Sequence, residues 1–486
     1  MKPKLISFLL VVILVIAAFL RLYRTSDFLG FWFDQGRDAQ VIWDLLHQGR
    51  FFLIGPTTGI EGIFLGPFYY YLIAPAYLLG GGNPLFPAYF VSLLNVLSIY
   101  FLFKMGSRYF HPIVGLITAF ISAFSLQLVG YQRWLANPSP LPLLAILSLW
   151  ALLAVVSHDK KWYWWPILGI GIGLSLQLEA ASATFFIPAT IIVLFLYRRS
   201  IVNQRIWVAL FFFGLTLLPQ IIFNFRHQNI LFNSFQKFLV SERSFQPDLT
   251  TAYQDRLRFY YTIFTNKYFH SPDAALAFVI ILPILFFWVR RYLPTKPMVT
   301  LFIWWLTPLA FLLFYYGNHG YIWDYYFTGI YPAFTLLICA TGFYIFKHSL
   351  VGKVIVLSLF ITFIHQNLIA HLNFFRPALP GYISLTSELQ AVDWVYQDAG
   401  TTPFNQDAYV PPVIPYAYDY LFLWLGTTKY NRLPEQEKIF RLYTLYEVDP
   451  PHPERLEAWL ARQAGIARIE SQATFGGITV QRRTRI

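Results

Sequence analysis

Long apolar runs recur through the first three quarters of the chain and stop near residue 371. The first is Leu5–Leu20, and the others fall at about 84–103, 112–130, 139–156, 163–178, 182–197, 206–223, 275–289, 299–316, 328–346 and 352–370. Runs of this kind suit helices that cross a bilayer, which need about 20 apolar residues each. They predict about eleven spans. A shorter run, Gly66–Leu79, contains Pro67 and Pro75 and ends at Gly80–Gly81–Gly82. It reads as an interfacial or re-entrant helix rather than a span. Between the first run and this one, residues 35–48 mix polar and apolar positions as an amphipathic helix does.

Beyond residue 372 the pattern changes and no span-length run remains. Ser384–Ala399 places Leu389, Val392 and Val395 at helical spacing, with Gly400 as a stop. Phe404–Val410 and Phe440–Glu447 read as strands. Pro453–Ala464 reads as a helix whose early Glu454 and late Arg462 suit the helix dipole. Ala467–Phe475 and Ile478–Arg483, joined by Gly476–Gly477, form a hairpin signal. The expected architecture is an all-α polytopic membrane domain over 1–371, followed by a small α/β domain over 372–486.

Composition agrees with this reading. The chain is 57% apolar and 12% charged, with a mean hydropathy of +0.51, which excludes an ordinary soluble protein. A net charge of +12 would raise the question of nucleic acid. The Lys and Arg instead gather in short loops: Lys104 and Arg108; Lys160 and Lys161; Arg198, Arg199 and Arg205; Arg290, Arg291 and Lys296; Lys347 and Lys353. The positive-inside rule places those loops and the N-terminus in the cytoplasm and the C-terminal domain outside, in a plasma (inner) membrane. Leu5–Leu20 lacks a cleavage site and is taken as the first span. The lone Cys339 excludes an intrachain disulfide.

With this topology the unusual polar residues collect in the outward connections. Asp34, Arg37 and Asp38 lie in the stretch F-W-F-D-Q-G-R-D-A-Q-V-I-W-D of the first. Asp34 follows three aromatics, so partial desolvation suits a general base, while an N-cap of helix 35–48 explains it equally well. Asp38 stands one turn on, placed to orient Arg37, to bind a divalent cation with Asp34, or simply to face water. Arg133 can grip a phosphate in a forked geometry or snorkel to headgroups, and Asn137 before Pro138 suits a helix cap. Glu179, between two apolar runs, suggests a cavity-facing acid. Arg226 opens the 224–274 connection and is a candidate phosphate holder. His319, Asp324 and Tyr325 stand before a late apolar run, where phosphate contact and interface anchoring are both open. No Walker loop, dinucleotide fingerprint, H-E-x-x-H or CxxC is present, which argues against ATP hydrolysis, nicotinamide chemistry and zinc proteolysis.

Asp34–Gln35–Gly36–Arg37–Asp38 resembles the first-loop motif of the GT-C superfamily, specifically glycosyltransferase family 39-like proteins, with Gln35 replacing the usual Glu. Gly66–Pro67–Phe68–Tyr69–Tyr70–Tyr71 is similar to that family's P-P-L-x-Y-x-L segment, and Phe103–Phe110 to its cytoplasmic turn. Arg133–Asn137 is similar to its R-x-x-x-D, with Asn137 in place of the acid. The resemblance implies a membrane glycosyltransferase that uses a polyprenyl-phosphate sugar and inverts the anomeric centre. Asp34 would be the catalytic base and Arg133, Arg226 and His319 would hold the donor phosphate. Arg37, Asp38, Asn137, Glu179 and Tyr325 would support substrate, and the acceptor would be a protein, lipid or glycan. No cofactor is implied beyond an optional divalent cation. Two rival readings are a transporter or lipid flippase with Glu179 as its ion site, and an inactive GT-C-like subunit.

Overall fold

The computed structural model describes residues 2–159, 161–200, 205–240, 249–315, 320–376, 381–411 and 414–486. Among these, six helices are long and apolar enough to cross a membrane: Pro3–Leu22, Leu85–Tyr109, Ile206–Arg226, Pro272–Tyr292, Thr295–Leu312 and Leu350–Phe374. Pro112–Phe124 and Leu126–Arg133 make a seventh if taken as one broken span. The shorter helices Leu141–Val156, Trp164–Leu178 and Ala180–Leu196, with the 18-residue Tyr331–His348, fill the remaining positions of the expected set. Multi-pass membrane architecture follows. The Tyr331–His348 helix is buried continuously from Tyr331 to Thr341, so it forms the centre of the bundle, whereas Ile206–Arg226 buries no residue and faces outward.

The run expected at 112–130 as one straight helix is broken at Ser125, where the two halves meet at 65°. Ser125 leaves helical geometry and its hydroxyl accepts from the Leu128 amide, starting a new helix. The Leu126 amide at the break is satisfied by Asn367 Oδ1. Phe68–Leu79, at 12 residues, rises only about 18 Å and is too short for a ~30 Å hydrocarbon core.

The C-terminal domain is built on a four-stranded sheet in the order β1-β2-β4-β3. Its strands are β1 (Asn405–Tyr409), β2 (Arg441–Glu447), β3 (Ala467–Phe475) and β4 (Ile478–Arg485). β1 runs parallel to β2, and the other pairs are antiparallel. The helices Leu385–Ala399 and Pro453–Ile466 lie where the sequence pattern predicts them. A third, Tyr416–Thr428, is not predicted by the pattern. Its sequence Y-A-Y-D-Y-L-F-L-W-L-G is apolar almost all round, and buried residues follow one another along it, so no amphipathic period marks it.

That helix joins the two parts of the molecule. It packs along Phe33–Gln48, with Gly36 set against it so closely that a Cβ there would overlap the Ala417 amide. Gln40 Nε2 donates to the Tyr416 carbonyl at 3.1 Å, and the Phe33 and Tyr416 rings meet edge to face at 4.9 Å. Trp424 Nε1 donates to Gly81 O at 2.8 Å. From the other side, the Leu385 amide donates to Leu29 O at 2.9 Å and Thr386 donates to Asp27 Oδ1 at 3.0 Å.

Candidate active site

Phe33–Gln48 begins with Trp32 in extended backbone, and Gln35 supplies the cap: its Oε1 accepts from the Trp32 amide at 3.2 Å. Gln35 Nε2 also donates to Leu135 O at 3.0 Å, tying the helix start to the turn at 134–140. Asp34 is therefore not the N-cap. It stands in the first turn with 59% of its side chain exposed, where a negative charge is favoured by the helix dipole.

Arg37 lies between the two acids. Its Nη1 is 2.8 Å from Asp34 Oδ1, while Nε and Nη2 donate to Asp38 Oδ1 at 3.0 and 2.8 Å. Nη1 also donates to Thr57 Oγ1 at 3.2 Å. Asp38 is buried, and its Oδ1 accepts a further bond from the Tyr70 hydroxyl at 3.1 Å. Burial pushes the Asp38 carboxyl up to about 6, with Arg37 and Tyr70 pulling it down and Asp34 adding to the rise. The guanidinium thus fills the space a divalent cation shared by Asp34 and Asp38 would need. Among the described residues no group of three or more His, Cys, Asp or Glu could hold a metal ion.

A second acid lies nearby. Glu179 ends Trp164–Leu178, is buried, and caps the next turn by accepting from the Ala181 amide at 3.2 Å. Asn137 Nδ2 donates to Leu178 O at 2.6 Å and, at 3.4 Å, to Glu179 Oε2. Burial pushes the Glu179 carboxyl up to about 7, against the pull of Ala181 and Asn137. Tyr325 connects this acid to the first: burial, then Tyr326, Glu179 and Asp34, all push its phenol up. Its ring sits 6.1 Å from that of Trp134. Asp34, Asn137, Glu179 and Tyr325 therefore lie at the same end of the bundle.

Three comparisons bear on this arrangement. Residues 65–223 match the family model described as dolichyl-phosphate-mannose-protein mannosyltransferase; the match begins after Asp34 and includes Tyr70, Asn137 and Glu179. No curated protein matches the chain in sequence. Among solved structures, ArnT from Cupriavidus metallidurans bound to undecaprenyl phosphate superposes with a TM-score of 0.61 at 12% identity, covering 99% of this chain and 98% of that one. The same protein in its apo state gives 0.60 at 12% identity, with 97% of each chain covered. The chain has the GT-C fold. Identity this low carries the fold and nothing further about substrate.

Within this GT-C bundle the other expected residues are placed differently. Arg133 is buried with its nitrogens already used: Nη1 donates to Leu20 O at 2.7 Å and Nη2 to Tyr23 O at 2.8 Å. The rings of Phe28, Phe374 and Phe375 surround its guanidinium at 5.5–5.8 Å. The side chain fastens the end of the first span rather than facing Asp34. Arg226 is exposed at the end of Ile206–Arg226, whose preceding turns touch the connection before Phe68–Leu79 through Gln220 Nε2 and Phe64 O at 3.2 Å. No described contact joins Arg226 to the Asp34 group. His319 lies outside the described residues.

Sequence reasoning missed several residues that the fold recruits. Tyr70 completes the Asp38 site. Gln177 accepts from the Phe68 amide at 3.1 Å and bonds Thr216 O, pinning the start of Phe68–Leu79. Lys267, buried, reaches Asp324 Oδ2 at 3.4 Å, and the Tyr131 hydroxyl donates to the same oxygen. Only Tyr70 carried a signal, as the middle tyrosine of G-P-F-Y-Y-Y.

Proposed function

We propose that this chain is an integral-membrane glycosyltransferase that transfers a sugar from a polyprenyl-phosphate donor to an extracytoplasmic acceptor, with inversion. The observation that carries the reading is the geometry of Asp34: an open carboxylate at a helix start, oriented by Arg37, which is itself held by buried Asp38 and Tyr70. Asp34 takes the proton of the acceptor hydroxyl, and the freed oxygen attacks the anomeric carbon in line with the departing phosphate. The sugar–phosphate C–O bond breaks as the new glycosidic bond forms, and the lipid leaves as its monophosphate. Undecaprenyl phosphate in the ArnT structure supports a lipid-phosphate donor of this class. Arg226 and His319 are the proposed phosphate holders, with Arg133 bracing the first span. Asn137, Glu179 and Tyr325 line the sugar side. The site lies on the outer face of a plasma (inner) membrane, with the N-terminus in the cytoplasm and the C-terminal domain outside.

The test is transfer by purified protein in lipid, given a panel of radiolabelled polyprenyl-phosphate hexoses and pentoses with total membrane acceptors. Asp34→Asn is expected to lower transfer by ~10²–10⁴-fold, the usual worth of a general base, with unfolding behaviour unchanged. Transfer that survives this substitution at full rate would remove Asp34 from the chemistry.

A further inference from the structure

The helices that grip the Asp34 segment share a core with an unusual polar cluster. Glu388, in the first turn of Leu385–Ala399, is completely buried, and neither carboxyl oxygen has a hydrogen-bond partner among the described residues. It faces Glu447 at the end of β2, which is also buried. From the third element, Tyr416–Thr428, Tyr418 donates its hydroxyl to Glu447 Oε1 at 2.8 Å. On the elements packed around the cluster, buried Arg483 of β4 is bonded to Thr444, Gln481 and the Ala467 carbonyl, and Asp419 accepts from Gln406 at 3.4 Å. Asp27 is held by Arg24 and Thr386, Lys429 pairs with Asp393, and Arg482 of β4 pairs with Asp398 and with Glu470 of β3. No described cation pairs with Glu388 or Glu447.

Two buried carboxyls without a cation cannot both carry charge cheaply; the stable form keeps protons on them. The site is small and offers two carboxyls and a phenol, fewer ligands than a metal ion needs. Its position matters more than its chemistry. Glu388 sits one turn from the Leu385 amide that holds Leu29 O and from Thr386, which holds Asp27. Tyr418 follows directly on Tyr416 and Ala417, which press on Gln40 and Gly36. The cluster therefore backs both contacts that fix the stretch on either side of Asp34.

We propose that Glu388, Glu447 and Tyr418 form a proton-operated latch: while the carboxyls hold protons the C-terminal domain clamps the Asp34 helix, and their ionisation loosens that clamp. These are positioning residues, and only the consequence for turnover rests on the glycosyltransferase reading. The direction is fixed by linkage. Burial pushes Glu447 up to about 7 from an ordinary value of 4.5, and burial together with Glu447 pushes Glu388 well up. The folded domain thus binds protons the unfolded chain releases. The stability that the Glu447 proton contributes is full below about pH 4.5 and is lost as pH rises through about 7.

The experiment is hydrogen exchange of the full chain in lipid across about pH 5.5–8.5, corrected for intrinsic exchange rates. Peptides covering 29–38 and 416–420 are followed beside a control inside 331–348. Wild type is expected to lose protection several-fold in both clamp peptides as pH rises, with the control flat, and Glu388→Gln and Glu447→Gln are each expected to flatten that rise. Wild-type protection that does not change with pH, a rise shared by the control, or a rise unaltered in the variants would each overturn the latch. If one variant fails to fold, the other decides. Because exchange needs no turnover, absence of transferase activity would leave this result standing.

Discussion

Asp38 and Glu388 are two buried acids that serve the same short stretch of chain, and they are housed in opposite ways. Asp38 has a guanidinium and a phenol on one oxygen, so it can stay charged and hold Arg37 in a single geometry. Glu388 has another carboxyl for a neighbour and no donor among the described residues, so its comfort depends on a proton. The first arrangement fixes a position; the second makes a position conditional. The contrast shows that burial alone does not say what an acid does: its partners decide.

The largest way to break the contrast is to take the cation from Asp38. Arg37→Met leaves a buried carboxylate unpaired and is expected to cost about 3–5 kcal/mol, seen as a lower unfolding midpoint that recovers as the pH is lowered, beginning above about 6 because Arg37 no longer pulls the carboxyl down. An unchanged midpoint would mean that Arg37 contributes nothing to the local fold. Next is Gly36→Ala, whose Cβ would overlap the Ala417 amide. Pushing Tyr416–Thr428 away is expected to cost about 1–3 kcal/mol and to expose the 416–420 peptide to exchange, mimicking alkaline pH at any pH. Glu388→Leu carries the opposite sign to Arg37→Met: at about pH 8 it should raise the unfolding midpoint, by about 1–2 kcal/mol of stability, with the gain vanishing near pH 4. Loss of stability at alkaline pH would count against an uncompensated acid. The smallest effect belongs to Tyr70→Phe. It removes one donor from Asp38 and should cost about 1 kcal/mol, read from denaturant midpoints, while Arg37 keeps the carboxylate in place.

How far these features are legible in the sequence differs between the same two regions. Asp34, Arg37 and Asp38 lie within one helical turn, so their mutual contacts follow from spacing, and the apolar runs outline the bundle around them. What spacing hides is the cap: Asp34 reads as the N-cap, but Gln35, held by the Leu135 carbonyl across the loop, bonds the Trp32 amide instead. Arg133 is hidden for a similar reason, since Leu20 and the ring of Phe375 come from opposite ends of the membrane domain. The C-terminal cluster is almost illegible. Its helix Tyr416–Thr428 is apolar on almost every side because one face meets Leu385–Ala399 and another meets Phe33–Gln48, which erases the amphipathic period. Glu388 in turn looks like any first-turn acid of a helix.

The order of synthesis gives the docking of Tyr416–Thr428 a further meaning. Gln40 and its partner carbonyl at Tyr416 are 376 positions apart in the chain. A ribosome therefore places the Asp34 helix against the membrane long before the piece that steadies it exists. β4 follows Tyr416–Thr428 in the chain and lies between β2 and β3 in the sheet. Until Tyr416–Thr428 has been made, the Asp34 helix lacks the contacts that steady it.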